Sequence, residues 1–241
     1  MRLHRFYVSQ PLGEEVVIED VSIIKQWLKV FRYTIGDFVV LFNGDNVDYT
    51  YELTLTSPSS CTLIQKEKNI STHTTRRSFI FLSVIKKDLF ELVVEKAVEH
   101  GITDIVPLFS EHTEKKNLNF DRLRSIIKEA TEQSGRTSLL QVHDTCTFDE
   151  ATAMIPTFGI ASAGTYVATL QGENIKNLLL TKMDVTEPST PVAFFVGPEG
   201  GWSDSEENKF VDEKYTRFSF GSTVLRAETA GIACALLSTL I

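Results

Sequence analysis

The sequence predicts an α/β protein with a small β-rich unit at the N-terminus and a larger unit built on a mostly parallel sheet. In the first part of the chain, short apolar runs surround one helical pattern, which favours a small barrel. Beyond the polar segment Lys66–Arg77, which has no hydrophobic period, strand and helix patterns alternate. Such alternation is typical of a parallel sheet covered by helices on both faces. We therefore predict one domain at residues 1–70 and a second at residues 74–241.

The N-terminal unit contains four strand patterns and one helix pattern. The strand candidates are Glu15–Glu19, Phe38–Phe42, Val47–Leu55 and Cys61–Gln65. The apolar residues that recur at helical spacing are Ile23, Ile24, Trp27, Leu28 and Phe31. Asn43-Gly44 predicts a hairpin between two of the strands, and Gly36 follows the end of the helix.

The C-terminal unit contains alternating strand and helix patterns. The strand candidates are Ser78–Ile85, Asp104–Phe109, Leu139–His143, Phe158–Ala163 and Val192–Val196. The predicted helices are Asp88–His100, one that opens at Asn119 or Asp121 and stops at Gly135, Asp204–Asp212, and one that begins near Glu228. The residues predicted to form the buried face of the first of these helices are Leu89, Leu92, Val93 and Ala97.

The composition is that of a globular protein, since 42% of the 241 residues are hydrophobic and 23% are charged. The only cysteines, Cys61, Cys146 and Cys234, do not suit a disulfide scaffold or a local zinc site, so we predict three buried thiols in a reducing compartment. The five histidines share no metal-ligand spacing, and we expect no metal. The N-terminus has no signal-peptide pattern and Thr229–Ile241 is too short to span a bilayer, so we expect a cytoplasmic protein with no membrane partner.

The charge distribution leaves room for a nucleic-acid partner despite a net charge of −8. Residues 141–241 carry 6 basic and 13 acidic groups, so most of the excess acid lies in the last part of the chain. A basic face can therefore form from the first two thirds. The candidates for contacts with phosphate are Arg5, Arg32, Lys86 and Lys87, although solvated surface is the other interpretation of each.

A glycine-rich segment follows the last buried strand pattern. Val192–Val196 runs into Gly197-Pro198-Glu199-Gly200-Gly201, and Ser203 with Glu206 has the spacing of a capping box that starts a helix. Glycines let the backbone approach a ligand closely, and ligands of open α/β sheets bind beyond the carboxyl ends of the strands. The pattern favours a binding loop over a purely structural turn, but it is not that of a phosphate-binding loop.

A second segment, Phe220–Cys234, places Arg226 and Glu228 just before an alanine-rich helix, after a strand-like segment that ends at Gly221. A glutamate near the N-terminus of a helix interacts favourably with the helix dipole, whereas an arginine does not. The helix dipole therefore does not explain an arginine at position 226. A salt bridge with Glu228 or another acid is one interpretation, and a catalytic or RNA-facing role is the other.

Together, GPEGGWSDSEE at 197–207 and GSTVLRAETAGI at 221–232 resemble the SPOUT methyltransferases, specifically the family that methylates N3 of a uridine in 16S ribosomal RNA. Three further segments resemble the same family in the same order. They are WLKVFRYTIGD at 27–37, SVIKKDLFELVVEKAVEHGITDIVPLFSEHT at 83–113 and EATEQSGR at 129–136. The resemblance covers most of the chain.

The resemblance implies a C-terminal trefoil-knotted SPOUT methyltransferase domain and a small N-terminal PUA-like β-barrel that helps to hold RNA. It further implies a homodimer whose active sites are each completed by the partner subunit, with 16S ribosomal RNA or the small ribosomal subunit as the substrate.

The resemblance also implies that S-adenosylmethionine binds in the knot, largely to backbone groups of three loops. Carried over by position, the cofactor-binding residues are Gly197, Pro198, Glu199, Gly200, Gly201, Phe220, Gly221, Thr223, Val224, Leu225 and Ser162. Ser162 stands for the third loop, around Ala161–Gly164, where this chain departs from the Leu-His-Pro type of sequence that relatives often carry.

The predicted catalytic residues are Arg226, Glu228 and Arg136. Methylation at N3 of uracil requires removal of a proton, so a cation beside O2 or O4 and a base are expected. Arg226 is assigned as the cation. Glu228 or Glu199 is assigned as the base, or else as a loop anchor. Arg136 is assigned as a contact to phosphate or substrate, or else as a cation that complements the dipole of its helix.

The alternative function is an inactive RNA-binding or ribosome-assembly protein of the same fold. A third possibility is an enzyme that acts on tRNA or on a ribose hydroxyl. The PUA-like domain and the segment at 129–136 argue against it.

Overall fold

A computed structural model describes residues 3–70, 76–114, 117–181 and 190–240. The chain forms two compact units, which are described one at a time. The first comprises Met1–His73 and Thr131–Leu139, and the second comprises Thr74–Ala130 and Leu140–Ile241. The sequence predicted a single division between residues 70 and 74, whereas the contacts also place the short segment Thr131–Leu139 with the first unit.

The first unit contains a five-stranded sheet with the order β1-β3-β4-β5-β2. Its strands are β1 (Arg5–Tyr7), β2 (Glu15–Ile18), β3 (Phe38–Phe42), β4 (Val47–Thr56) and β5 (Cys61–Ile70). β1 pairs in parallel with β3, and the other neighbours pair antiparallel. Helix α1 (Val21–Lys25) continues as a π-helical segment, Gln26–Phe31, and this helical region adds Ile23, Ile24 and Trp27 to the buried core formed by the strands.

The helical region ends at Arg32, which adopts a left-handed conformation (φ 57°), and Gly36 follows this end, as predicted. One sequence prediction for this unit is corrected. The predicted linker Lys66–Arg77 is wrong in its first part, because β5 extends to Ile70 and pairs with β4 up to Val47. Both faces of this part of β5 are largely exposed, so it has no hydrophobic period. Residues 71–75 of the predicted linker lie outside the described part of the chain.

Arg5, predicted as a phosphate contact, is a structural residue of the first unit. Its side chain is only 7% exposed, and its guanidinium donates to both carboxylate oxygens of Asp48 at 2.6 and 3.2 Å. It also donates to the backbone oxygens of Thr131 and Arg136 at 3.3 and 2.8 Å, and it lies 4.5 Å from the centre of the Phe42 ring. Arg5 therefore fastens the segment Thr131–Leu139 to the strands, with four of its five N–H donors engaged within this unit.

Replacing Arg5 by leucine is expected to lower the free energy of unfolding by about 3 kcal/mol, because it leaves a partly buried carboxylate and two carbonyls without their donor. Urea unfolding followed by tryptophan fluorescence measures this change. The matched control is Lys29→Leu, on the exposed side of the same unit, which should change stability by less than about 0.5 kcal/mol. Equal effects of the two substitutions would contradict the structural role of Arg5.

The second unit is built on a seven-stranded sheet in which all pairings are parallel, as the alternating pattern predicted. Its strands are β6 (Ser78–Ser83), β7 (Asp104–Phe109), β8 (Gln141–Val142), β9 (Cys146–Thr147), β10 (Thr165–Asn174), β11 (Val192–Val196) and β12 (Thr216–Ser219). The order is β12-β10-β11-β6-β7-β8, and β9 pairs with β7. The helices of this unit are α2 (Lys87–Glu99), α3 (Phe120–Ser134), α4 (Phe148–Thr157), α5 (Ile175–Thr181), α6 (Asp204–Asp212) and α7 (Ala227–Leu237). The last residues of α3, from Thr131 onward, belong to the first unit.

Several predictions for this unit are corrected. The segment predicted as a strand, Phe158–Ala163, is instead the end of α4 and the turn after it, in which Gly159 has a positive φ of 71°. The strand itself begins at Thr165. Leu92 of α2 is 36% exposed, because the buried face turns toward Phe90 and Val94. Cys146 is only partly buried, unlike the other two cysteines.

Candidate active site

A cavity of about 710 Å³ lies within the second unit, beyond the carboxyl ends of the neighbouring strands β12, β10, β11 and β6. This is the usual ligand position in open α/β sheets. Its walls come from four places in the chain, which are Lys86 with Leu89, Ala168–Gln171, Val196–Trp202, and a segment from Ser219 to Ala230. Glu207 completes the lining.

The first wall is the glycine-rich loop after β11. A Cβ atom on Gly197 would lie 3.0 Å from the Trp202 ring, and one on Gly200 would lie 3.0 Å from the Cβ of His112. Gly201 has a positive φ of 72°, and its carbonyl oxygen accepts a hydrogen bond from His112 Nδ1 at 3.1 Å. The glycines are thus required by the packing of the loop, and they leave backbone groups of the loop at the cavity wall.

The capping box after this loop forms as predicted. Ser203 accepts from the Glu206 N–H, and the Glu206 carboxylate accepts from the Ser203 N–H at 2.9 Å. Glu206 is buried, and its other carboxylate oxygen accepts from the Glu111 N–H at 2.9 Å. The same carboxylate therefore starts α6 and holds the loop after β7 beside the glycine-rich loop.

The second wall is a bulge in β10, which the sequence analysis did not predict as part of the site. The pairing of β10 with β12 shifts register between Ala168 and Glu173, and the residues of this bulge line the cavity. Ser162 lies before β10, in a short 3-10 turn, and it does not line the cavity. Ser162 was assigned from the family resemblance, and its contact with the cofactor stays a prediction.

The third wall follows β12 and leads into α7. Four of the five residues predicted here, Phe220, Thr223, Val224 and Leu225, line the cavity. The fifth, Gly221, does not line it but supplies the turn with a positive φ of 113°.

Arg226 and Glu228 both line the cavity and differ in their surroundings. Arg226 is exposed at the N-terminus of α7, and the described part of the chain offers its side chain no hydrogen bond or ion pair. Glu228 is only 8% exposed, and it too has no hydrogen-bonding partner among the described residues. The salt bridge, which was one of the two interpretations of Arg226, is therefore absent from the described part of the chain. The arrangement places one cation and one buried carboxylate next to the same space.

A group that the sequence analysis missed is centred on Glu207. Its side chain is 8% exposed, accepts from Thr169 Oγ1, and forms an ion pair with Arg217 at 3.2 Å. Trp202 Nε1 donates to the Ala168 carbonyl oxygen at 3.1 Å, which adds a second contact to the same bulge. The sequence signal for Glu207 was only a second glutamate after the capping box, which reads as an ordinary first-turn acid.

The other predicted site residues lie in different surroundings. Lys86 is exposed and lines the cavity, whereas Lys87 lies 3.8 Å from Glu91 in an ion pair. Arg32 is exposed in the first unit. Arg136 also belongs to the first unit, where burial lowers the pKa of its guanidinium to about 10. It does not line the cavity, and its role toward a substrate stays a prediction.

Among the described residues, no group of three or more His, Cys, Asp or Glu side chains is arranged to hold a metal ion. No described helix combines the length and the apolar character that crossing a membrane requires.

Comparison with known families decides the class of the protein. The family model described as an RNA methyltransferase domain matches residues 72–239. The chain belongs to the RNA methyltransferase family. A second family model, described as an RNA methyltransferase PUA domain, matches residues 28–66 of this RNA methyltransferase.

Individual relatives match over nearly the full length of this RNA methyltransferase. The ribosomal RNA small subunit methyltransferase E of Rickettsia conorii is 27% identical over 235 residues, which cover 96% of this chain and 93% of the relative. The protein of the same name from Bacillus subtilis is 25% identical over 211 residues, covering 84% and 81%.

Solved structures support the fold. The ribosomal RNA small subunit methyltransferase E of Neisseria gonorrhoeae, bound to S-adenosyl methionine, matches with a TM-score of 0.83 at 24% identity, covering 99% of this chain and 98% of that one. A probable rRNA-methyltransferase from Porphyromonas gingivalis matches with a TM-score of 0.82 at 24% identity, with the same coverage. The second unit is thus a SPOUT methyltransferase domain and the first is PUA-like, as the resemblance implied, while the trefoil knot stays a prediction.

Proposed function

We propose that this RNA methyltransferase transfers a methyl group from S-adenosylmethionine to N3 of a uridine in the 16S ribosomal RNA of the small subunit. The observation that carries the proposal is the cavity, where the glycine-rich loop, the bulge of β10 and the loop into α7 meet around Arg226 and Glu228. Relatives over nearly the whole chain are named as small-subunit ribosomal RNA methyltransferases, and one solved relative is bound to S-adenosyl methionine.

The residues present fit such a cofactor. The volume of about 710 Å³ is that of a pocket for a drug-sized molecule. The backbone of Gly197–Gly201, the bulge Ala168–Gln171 and the segment Phe220–Leu225 would hold it. When bound, the cofactor supplies a methyl group on a positively charged sulfur. The task of the protein is then to align the base, to handle its proton and to exclude water.

The proton on N3 sets the chemistry that the side chains must perform. Neutral uracil has no available lone pair at N3, so the reaction needs the anion or a concerted proton transfer. Arg226 would stabilise negative charge on O2 or O4 of the base, because its guanidinium is exposed at the cavity and engages no other described residue. Glu228 would accept the proton, because its carboxylate is largely buried at the same cavity. Glu199 is exposed on the glycine-rich loop and is the second candidate base.

One phosphate contact is proposed in each unit, and each is argued from that unit alone. Lys86, exposed at the cavity, and Arg32, exposed in the PUA-like unit, are the proposed phosphate contacts. Lys87 is a weaker candidate because Glu91 already neutralises it. We expect the protein to work in the cytoplasm, where ribosomal RNA is its substrate.

The working form is proposed to be a homodimer. In support, Leu236 at the end of α7 is 46% exposed and Leu240 is 63% exposed, so apolar side chains at the C-terminus are left uncovered within one chain. The alternative of an inactive RNA-binding protein is disfavoured, because such a protein has no need of an open cavity lined by Arg226 and Glu228.

Binding of S-adenosylmethionine is expected to raise the melting temperature of the protein. At a ligand concentration of about one hundred times Kd, the folded state gains about 2.7 kcal/mol, which corresponds to a rise of several degrees. Differential scanning fluorimetry and titration calorimetry measure the effect, with adenosine triphosphate as the control ligand that should give no shift. No shift and no heat with S-adenosylmethionine would contradict the proposal.

A further inference from the structure

The bulge that forms the second wall of the cavity is held by side chains rather than by the sheet. The regular pairing of β10 with β12 is interrupted between Ala168 and Glu173. Within the bulge, Thr169 Oγ1 accepts from the Gln171 N–H at 3.3 Å and donates to Glu207. A single hydroxyl therefore connects the local turn to helix α6.

Glu207 is suited to hold this hydroxyl in one place. Its carboxylate is nearly excluded from solvent, and both of its oxygens are used, one by Thr169 and the other by Arg217 Nη1. Arg217 lies on β12, directly opposite Val167 of β10. The hydrogen bond to Thr169 is therefore charge-assisted and is anchored to two neighbouring elements, which makes it stronger than a hydrogen bond between neutral groups.

The far end of the bulge is fixed by close packing. A Cβ atom on Gly172 would overlap the backbone of Phe218, so the bulge already lies against β12 with no room to move closer. At its near end, Trp202 Nε1 holds the Ala168 carbonyl oxygen at 3.1 Å. Between these two points, Thr169 is the residue whose side chain is bonded to Glu207, and it faces the cavity.

We propose that Glu207 is a positioning residue for the cofactor, because its bond to Thr169 holds the bulge of β10 in the shape that closes one wall of the cavity. This inference rests on the proposed function, since the ligand concerned is S-adenosylmethionine. Glu207 acts here through Thr169, so its loss should weaken binding of the cofactor without removing the groups that act on the uridine.

The test compares Thr169→Val, which keeps the shape of the side chain but loses the hydroxyl, with Thr169→Ser, which keeps the hydroxyl. Thr169→Val should raise Kd and KM for S-adenosylmethionine about tenfold, the effect of one charge-assisted hydrogen bond, while kcat changes less than about twofold. Thr169→Ser should restore most of the affinity. The matched control is Thr157→Val on α4, an exposed threonine away from the cavity, which should leave Kd unchanged.

A double-mutant cycle shows whether the effect passes through Glu207. Glu207→Leu should lower the affinity for S-adenosylmethionine as much as Thr169→Val does. The double variant should bind the cofactor no more weakly than Glu207→Leu alone. Additive losses, or wild-type affinity in Thr169→Val, would overturn this inference while leaving the proposed function in place. If the wild-type protein bound no S-adenosylmethionine at all, both the inference and the proposed function would be overturned.

Discussion

Replacing Arg226 by alanine is expected to reduce kcat for methyl transfer by about 10² to 10³-fold, with the affinity for S-adenosylmethionine nearly intact. Arg226 is exposed at the cavity, and its side chain forms no ion pair with any residue in the described ranges, so its charge is available to the substrate. It makes no side-chain capping bond to α7, so alanine should leave the helix in place. Single-turnover assays with ribosomal RNA, together with calorimetry of the cofactor, measure the two quantities separately.

Two further variants test the role of Arg226. Arg226→Lys keeps a positive charge but not the planar fork, so it should recover part of the activity. Arg124→Ala, on the exposed face of α3 and paired with Asp121, is the matched control and should have the activity of the wild type. Wild-type turnover in Arg226→Ala would remove the assigned role.

Replacing Glu228 by glutamine should reduce the rate of transfer by about 10² to 10⁴-fold, the range found for removal of a general base. Glutamine has the same shape, and the described structure gives Glu228 no hydrogen bond that the change would break. The loss should therefore reflect proton transfer and not folding. Activity should recover as the pH rises, because hydroxide can then ionise the uracil in place of the missing carboxylate. Rates of the wild type and the variant between neutral and alkaline pH measure this recovery.

Glu199→Gln provides the comparison for Glu228. Glu199 lies on the glycine-rich loop but is exposed, so its replacement should have a small effect on the rate. A large loss of rate in Glu199→Gln, with a near-normal rate in Glu228→Gln, would make Glu199 the base instead of Glu228. Equal and small effects in both would mean that water, rather than either carboxylate, takes the proton.

The parts of the site that the sequence predicted well are those encoded by local signals. Val192–Val196 is an uninterrupted apolar run, and all five residues are buried in β11. The glycine-rich loop and the pair Ser203 and Glu206 then specify a turn and a helix start, and α6 has the predicted bounds Asp204–Asp212. In such a segment, propensity, capping and burial agree, so the pattern alone identifies the structure.

The parts that were missed depend on contacts between residues distant in sequence. Phe158 and Ile160 look like strand residues but pack into the core from the end of α4 and the turn after it. The bulge of β10 arises from its register against β12, which no local pattern reports. Arg5 looked like a surface cation, but Asp48 and two backbone oxygens surround it.

The central claim is that this chain places a methyl group on the base of a uridine in ribosomal RNA. The most direct measurement incubates the purified protein with S-adenosylmethionine that carries a deuterated methyl group and with small ribosomal subunits that lack the modification. Digestion of the RNA and mass spectrometry of its nucleosides then locate the label. The account predicts labelled 3-methyluridine in 16S ribosomal RNA. Label on a ribose or on another base, or no label from a protein that binds the cofactor, would contradict it.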